Sequence, residues 1–452
     1  MLFALLLLTF SVCAQAIECN SSQSCPESAP CCSQYGVCGT GSYCLGGCDP
    51  KFSYSIDACM PMPVCKDTTT VFDKYVSKMV SGYEYLGNAS AADWIYEGYV
   101  MDYEDENAMI MAMPLNASTV VSSTRYVWFG KIGVRMKTSH DPGVVTAFIM
   151  FSSVQDEIDT EFIGANLTTV QTNYYFEGVV NYTDSHAHNI STTDTFENYH
   201  DYEIDWQEDY ITWSVDGVVG RTLYRNQTYN STTKVYDFPQ TPSRVQLSLW
   251  PGGNSNQAPG TIAWAGGAID WNSTDMENYG YYYAVIQSIN VTCYDPPSGT
   301  IKNGTTSYQY TDDKDFTKDK IIIGDAGTIL ALYNNTGLDP DAGKVSSSSS
   351  KSSSTSSSST SSSGESKTSS SHTLKSIGGS TSSDSESSTT SSSETQTGFV
   401  QNIKSTSSGT ASVQGTTTSS GGAPGGVYVP DKFASFAGTL MTLVGSVMAF
   451  VL

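Results

Sequence analysis

Apolar and polar residues alternate with a period of two along several segments between residues 61 and 295. In the segment 131–137, the even positions Ile132, Val134 and Met136 are apolar, and the odd positions are polar or glycine. This alternation predicts β-strands with one buried face. Similar apolar runs predict further strands at residues 144–151, 202–206, 210–215, 244–250 and 283–294.

The spacing of these segments favours an all-β domain. Asp216-Gly217 follows the predicted strand at 210–215 and is typical of a two-residue hairpin turn. No long amphipathic helix competes with the strands, and the roughly 230 residues involved are enough for a substantial core. The sequence therefore predicts an antiparallel β-sandwich for residues 61–300, with an extension at 301–344.

One predicted strand, at residues 156–162, carries three carboxylates. Glu157, Asp159 and Glu161 are two residues apart, so on a strand they share one face, while Ile158 and Phe162 take the other. Like charges side by side raise each other's pKa. Retaining glycoside cleavage needs two carboxyl groups roughly 5–5.5 Å apart. Because positions four apart on a strand are about 13 Å apart, Glu157 and Glu161 must lean together over Asp159.

A solvated acidic strand face is the alternative interpretation of this pattern. Two neighbouring segments favour a site instead. The preceding strand at 144–151 is strongly apolar, and Arg244, Gln246, Ser248 and Trp250 share one face of the strand at 244–250. Polar groups beside an aromatic ring are what a sugar-binding cleft requires, and we predict that Arg244, Gln246 and Trp250 contact substrate.

The carboxylate segment resembles the active-site strand of the family 16 glycoside hydrolases. Segments 129–132, 138–140, 143–148 and 249–253 are similar to the fungal Crh branch of that family. The resemblance implies a β-jelly roll, a retaining mechanism and GPI-anchored enzymes that join chitin to β-glucan. By it, Glu157 is the nucleophile, Asp159 the assisting residue and Glu161 the acid/base. Trp250 and Trp264 fall in stretches that carry cleft aromatics, although each is equally typical of a core tryptophan.

Residues 17–60 form a cysteine-rich segment, since seven cysteines lie between Cys19 and Cys48. The segment resembles the hevein-type chitin-binding module, in which a serine and aromatic residues bind N-acetylglucosamine. Ser33, Tyr35 and Tyr43 match, but Val37 replaces an aromatic, so a disulfide-stabilised spacer is the alternative. The resemblance implies the pairs Cys19–Cys32, Cys25–Cys38 and Cys31–Cys44. For the remaining four cysteines we hypothesise Cys48–Cys59 and Cys65–Cys293, with Cys59–Cys65 as the alternative, since sequence alone does not fix connectivity.

Both ends of the chain have the composition of targeting signals. Residues 1–16 are typical of a secretory signal peptide, and residues 345–420 are a Ser/Thr-rich disordered tail, either an O-glycosylated stalk or a plain linker. Residues 421–452 are typical of a GPI-attachment signal with Gly421 as the attachment site, and a transmembrane helix is the alternative.

Removal of Cys13 with the signal peptide leaves ten cysteines, an even number that suits an oxidising compartment. Twelve Asn-x-Ser/Thr sequons predict a glycoprotein, among them Asn20, Asn88, Asn116, Asn166, Asn226, Asn272 and Asn290.

The net charge of the chain restricts the classes of molecule that it can bind. A formal net charge of -23 and a pI near 4.4 argue against nucleic acid as a partner, whereas neutral polysaccharide is indifferent to charge. His186 and His188 have no third ligand in view, so no metal or other cofactor is predicted. We predict a wall-associated retaining transglycosylase that acts on chitin and β-glucan and is held to the membrane by a GPI lipid. A β-glycan hydrolase and a non-catalytic wall lectin are the rivals.

Overall fold

The structure is a computed structural model, and it describes residues 16–190 and 193–344. Residues 1–15, the Ser/Thr-rich tail and the segment containing Gly421 lie outside the described residues. The strands of the described part are β1 (Cys31–Cys32), β2 (Cys38–Gly39), β3 (Met62–Pro63), β4 (Thr68–Val71), β5 (Val80–Ser81), β6 (Trp94–Glu97), β7 (Tyr99–Tyr103), β8 (Ala108–Pro114), β9 (Thr119–Ser123), β10 (Gly130–Lys137), β11 (Val144–Ser152), β12 (Glu157–Ile163), β13 (Thr169–Tyr175), β14 (His186–Asn189), β15 (His200–Trp206), β16 (Tyr210–Val215), β17 (Val218–Tyr224), β18 (Ser243–Pro251), β19 (Tyr281–Cys293), β20 (Ser307–Tyr310) and β21 (Ile321–Gly324).

Helices are few and short in the described residues. The two α-helices are α1 (Pro259–Trp264) and α2 (Thr274–Asn278). Single 3-10 turns occur at Gly41–Cys44, Ile56–Ala58, Val76–Lys78, Glu104–Glu106, Tyr182–Asp184, Arg225–Thr228 and Lys318–Lys320. In the same part of the chain, no helix is long and apolar enough to cross a membrane.

Two eight-stranded sheets form a β-sandwich with a jelly-roll fold, which confirms the predicted fold class. The first sheet has the order β17-β16-β15-β10-β19-β8-β7, with β4 also paired to β19. The second, which we call the site sheet, has the order β14-β13-β12-β11-β18-β9-β6-β5. All pairs are antiparallel except β5 with β6. All six segments predicted from alternation are strands, namely β10, β11, β15, β16, β18 and β19.

Alternate residues of the two sheets make the core. Ile132 and Val134 of β10 pack in one buried cluster with Phe148 of β11 and Leu247 of β18. Each such side chain contributes roughly 1.5–3 kcal/mol of transfer free energy on burial. Every residue of β11 and of β18 is buried, so both faces of these central strands are covered. The face of β11 and of β18 that points away from this core lies on the same side of the site sheet as the carboxylates.

The hairpin between β16 and β17 turns at Asp216-Gly217, as predicted. Asp216 has φ 51° and Gly217 has φ 77°, and Val215 pairs directly with Val218. Two consecutive positive φ angles are the signature of the type I′ turn, whose twist matches that of the strands it joins.

The N-terminal cysteine module, residues 17–60, and the extension at 301–344 are tied to the sandwich and to each other. Five disulfides join the cysteines in the pairs named from the sequence, including Cys65 with Cys293 on β19. The extension supplies β20 and β21, which form a three-stranded sheet with β3. It also touches the module, because the backbone N–H of Gly41 donates to Asn335 O and that of Gly337 donates to Ala58 O, each at 2.9 Å.

Candidate active site

The three carboxylates lie together on β12, in the interior of the site sheet. β12 is bordered by the strongly apolar β11 and by β13, and both pairings are antiparallel. Residues directly paired across such strands share a face. Glu157 lies between Phe151 and Tyr175, Asp159 between Ile149 and Asn173, and Glu161 between Ala147 and Gln171.

Asp156 fixes the start of this strand. Its carboxylate accepts hydrogen bonds from the backbone N–H groups of Glu177, Gln240 and Thr241 at 2.9, 2.9 and 3.0 Å, and from the Thr241 hydroxyl at 2.7 Å. Four donors balance the cost of burying this charge. Asp156 therefore has a structural role that the carboxylate pattern in the sequence does not reveal, and it locks the register that brings Glu157 onto the site face.

Asp159 has the opposite environment. It is 1% exposed, and neither of its carboxyl oxygens has a hydrogen-bond partner among the described residues. Burial raises the pKa of Asp159 to about 7, although its contact with Glu157 and the positive charge of Arg221 oppose the rise. A buried carboxyl group whose nearest polar neighbours are other carboxyls destabilises the fold, and such groups cluster at functional sites.

The two glutamates are perturbed in the same direction. Burial, followed by the negative charges of Asp159 and Glu161, raises the pKa of Glu157 well above its usual range. Burial and the charge of Asp159 do the same for Glu161. The three groups titrate as one cluster that retains protons near neutral pH. Such a cluster can hold one carboxyl as a proton donor while another is ionised, which is the division of labour that acid/base chemistry needs.

We expect the burial of Asp159 to make stability depend on pH. With a native pKa of about 7 and an unfolded value of about 3.9, the native state alone binds a proton between these two pH values. The free energy of unfolding therefore falls as pH rises through this window, by roughly 2–4 kcal/mol. Asp159→Asn cannot titrate, so it should make the profile of unfolding free energy against pH less steep, and the remaining slope comes from Glu157 and Glu161. Denaturant unfolding between pH 4 and pH 8 measures this effect, with the exposed Asp105→Asn as control; an equally steep profile for both variants would contradict it.

The two tryptophans predicted from the sequence lie beyond Glu161 on the same face. Trp250 is 2% exposed and stacks on the half-buried Trp264, with ring centroids 6.0 Å apart and an interplanar angle of 22°. The indole N–H of Trp264 donates to Gln171 Oε1 at 2.8 Å, and Gln171 pairs directly with Glu161. Trp264 is thus the ring available to a sugar near Glu161, and Trp250 supports it from within the protein.

Arg244 and Gln246, predicted to bind substrate, have protein partners in the structure. Arg244 Nη2 and Gln246 Nε2 both donate to Gln34 Oε1 of the N-terminal cysteine module, at 2.7 and 3.0 Å. Both side chains are buried. They occupy the predicted strand face, but this arrangement directs their amide and guanidinium groups to the module instead of leaving them open to sugar.

Of the three sugar-binding residues predicted in the module, Tyr35 contacts the sandwich, and Tyr43 and Ser33 have contacts within the module. The Tyr35 hydroxyl donates to Glu97 Oε2 at 3.3 Å. Tyr43 packs against Gly39, where an added Cβ would lie 2.5 Å from the ring. The Ser33 hydroxyl accepts from the backbone N–H of Val37 at 3.3 Å. Glu97 is a further candidate sugar-binding residue. The sequence did not indicate it, because an isolated glutamate on a strand forms no recognisable pattern.

The described residues hold one group of three or more side chains close enough to share a metal ion, and it consists of Cys19, Cys25 and Cys32. All three are joined in disulfides, so none can supply a thiolate ligand. His186 and His188 lie on β14 and belong to no such group.

A jelly-roll sandwich with three neighbouring carboxyls on one strand, two of them buried, and tryptophans beside them defines a glycosidase-type enzyme. The family model for glycosyl hydrolases family 16 matches residues 88–266, a range that contains β12. The chain is 58% identical over 334 residues to Congo red hypersensitive protein 2 of Saccharomyces cerevisiae, covering 74% of this chain and 71% of that protein. It is 50% identical over 342 residues to Crh-like protein 2 of Aspergillus fumigatus, covering 75% and 76%. Among solved structures, Crh5 transglycosylase in complex with NAG is similar at 27% identity and a TM-score of 0.49, covering 61% of this chain and 99% of that chain.

The chain belongs to the Crh family, within the glycosyl hydrolases of family 16. It is therefore a glycosidase or transglycosylase, and its substrates are carbohydrates.

Proposed function

We propose that the protein is a retaining transglycosylase of the cell wall, which cleaves a chitin-type β-1,4 donor and joins the fragment to β-glucan. The observation that carries the proposal is the cluster of three carboxyls on β12, of which Asp159 and Glu161 are buried, in a chain of the Crh family. Glu157 is the nucleophile, Glu161 the acid/base, and Asp159 orients and tunes Glu157.

The reaction proceeds in two steps. The Glu157 carboxylate attacks the anomeric carbon of the donor, and the bond to the leaving sugar breaks as its oxygen takes the proton of Glu161. A glycosyl ester of Glu157 results. A glucan hydroxyl then attacks the anomeric carbon and gives its proton to Glu161, and the Glu157 carboxylate leaves. Glu161 thus regains in the second step the proton that it gave in the first. The two inversions at the anomeric carbon together retain its configuration.

Water competes with glucan for the glycosyl ester, so the same residues also support hydrolysis. Trp264 favours transfer, because a half-buried ring near Glu161 can hold an acceptor sugar by stacking on its accessible face long enough to outcompete water. A hydrolase is therefore the second candidate function, and a wall lectin is a third, supported by the N-terminal cysteine module.

The test is incubation of the protein with a labelled chito-oligosaccharide and a glucan oligosaccharide acceptor. We expect labelled hybrid products. Shortened labelled donor without hybrids would identify a hydrolase, and binding without either product would identify a lectin.

The protein is further proposed to be secreted and held at the outer face of the plasma membrane by a GPI lipid at Gly421. Five disulfides fit an oxidising compartment, and the seven sequon asparagines named above are all exposed. Small residues, a spacer and an apolar stretch in 421–452 are the composition of an attachment signal.

Phosphatidylinositol-specific phospholipase should release the protein from intact cells. This enzyme cuts the lipid and leaves the polypeptide whole, so the released form carries a glycan remnant at its new C-terminus. Detergent extraction of a form that still contains residues 433–452, together with resistance to the phospholipase, would contradict the anchor.

A further inference from the structure

The N-terminal cysteine module lies on the same face of the site sheet as the carboxyls. Gln34 receives hydrogen bonds from Arg244 and Gln246, and the backbone at Gly46 approaches Arg244 so closely that an added Cβ would lie 2.2 Å from Nη1. At a further point of the module, Lys51 Nζ donates to Val154 O at 2.7 Å and to Glu177 O at 2.9 Å. The module is therefore seated on the sheet by contacts at several points.

The register of the site sheet shows which row of residues runs from the carboxyls to the module. Glu161 pairs with Ala147, Ala147 with Ser248, Ser248 with Val120, and Val120 with Glu97. Directly paired residues share a face, so Glu97 faces the same side as Glu161. Four strand spacings separate them, which is about 19 Å, a span that accommodates several sugar residues.

The middle of this row has an unsatisfied polar group. Ser248 is 3% exposed, and its hydroxyl has no hydrogen-bond partner among the described residues. Buried hydroxyls are normally bonded, so an unpartnered one on the face that carries the carboxyls points to a ligand hydroxyl. The neighbouring row, at Gln246, is covered by Gln34, which makes the module a side wall of the row that contains Ser248.

The far end of the row is built from both parts of the protein. Glu97 of β6 accepts the hydrogen bond of Tyr35 from the module. Gly82 donates its backbone N–H to Tyr96 O at 2.8 Å, and an added Cβ there would meet Glu97 Cγ at 2.9 Å, so the next residue, Tyr83, lies beside Glu97. Burial, followed by the charge of Glu97, raises the pKa of Tyr83 to about 12. Tyr83 nevertheless remains 46% exposed.

We propose that the module and the site sheet form one composite groove for the chitin-type donor, with Ser248 on its floor and a distal subsite formed by Glu97, Tyr35 and Tyr83. A carboxylate to accept sugar hydroxyls and tyrosine rings to stack on pyranose faces are the chemistry that recognises a neutral sugar chain. The module has Val37 where an aromatic is usual, and Tyr83 of the sandwich adds a ring at the junction. The inference rests on the proposed function for the identity of the donor.

The test uses the full protein, chito-oligosaccharide donors of increasing length and a fixed glucan acceptor. Tyr83→Ala removes one stacking surface, and KM for long donors should rise roughly 3- to 10-fold. The shortest donor that is turned over cannot reach Tyr83, so its kcat and KM should not change. Glu97→Gln should give the same dependence on donor length. Tyr224→Ala is the matched control, because Tyr224 is 51% exposed on β17 of the other sheet.

Equal losses on short and long donors, no loss on any donor, or a loss that follows acceptor length would each overturn the composite groove. These outcomes differ from failure of the proposed function, in which the unmodified protein forms no hybrid product from any donor. In that event the groove is tested by calorimetric binding of the same oligosaccharides to the Glu157→Gln variant with and without Tyr83→Ala. Equal affinities for the longest oligosaccharide would then reject the groove.

Discussion

Glu157→Gln is expected to abolish turnover, with a loss on the order of 10^4-fold or more in kcat, because removal of the nucleophile stops covalent catalysis at its first bond. The amide is nearly the size of the carboxylate, so the groove keeps its shape. It also removes one ionisable group from a cluster in which burial, followed by the charge of Asp159, raises the pKa of Glu157. The inactive variant should therefore unfold at a temperature no lower than that of the unmodified protein. Release of labelled hybrid product and thermal unfolding, measured on the same preparation, check both statements.

Glu203→Gln is the matched control for this substitution. Glu203 lies on β15 of the first sheet and forms a partly exposed ion pair with Lys131 at 2.8 Å. Pairs of this kind contribute about 0–1 kcal/mol, so activity should be retained. Turnover by Glu157→Gln within tenfold of the unmodified protein would exclude Glu157 as the nucleophile. If the unmodified protein shows no turnover and Glu157→Gln binds the sugar with unchanged affinity, the protein is instead a lectin.

The sandwich and its carboxyl strand are predictable because local patterns determine them. Alternation in the segment 131–137 places Ile132 and Val134 in the core, and Asp216-Gly217 forms the expected turn. Glu157, Asp159 and Glu161 share a face for the same reason, since the side-chain period of a strand is two. Information of this kind is contained within a few residues of each position.

The surroundings of the site depend on contacts that no local pattern encodes. Arg244 and Gln246 occupy the predicted face of β18, but their partner is Gln34, more than 200 positions earlier in the chain. The alternation of β18 shows that these side chains leave the core without showing what covers them. Glu97 and Tyr83 were missed for the same reason, because their significance comes from the register of five neighbouring strands.

The short helices and the anchoring role of Asp156 could not be predicted from the sequence either. α1 and α2 span six and five residues, too few to show a helical period. Asp156 and Asp159 look equivalent in the segment 156–162, yet one accepts four hydrogen bonds and the other accepts none from the described residues. Only the fold distinguishes the carboxylate that is stabilised from the one that is left reactive.

Glu161→Gln is expected to separate the two steps of the reaction. With natural donors, activity should fall roughly 10²–10⁴-fold, because the leaving sugar oxygen then departs without a proton. With an aryl glycoside donor whose leaving group is stable as an anion, the first step needs no acid and should recover. The second step still lacks its base, so the glycosyl ester of Glu157 should accumulate. Rapid-quench measurements should show a burst of the aryl alcohol followed by slow turnover.

Two further readouts follow from the same chemistry. Azide needs no base to attack the glycosyl ester, so it should restore turnover of Glu161→Gln with the aryl donor and give a glycosyl azide of retained configuration. In the unmodified protein, Glu161 must be protonated in the first step, and burial raises its pKa. The rate on natural donors should therefore fall as pH rises through an apparent pKa that belongs to the carboxyl cluster, and Glu161→Gln with the aryl donor should lack this decline. An equal loss on aryl and natural donors, without rescue by azide, would assign the acid/base to another residue, because a group that only shapes the groove cannot distinguish donors by the stability of their leaving groups.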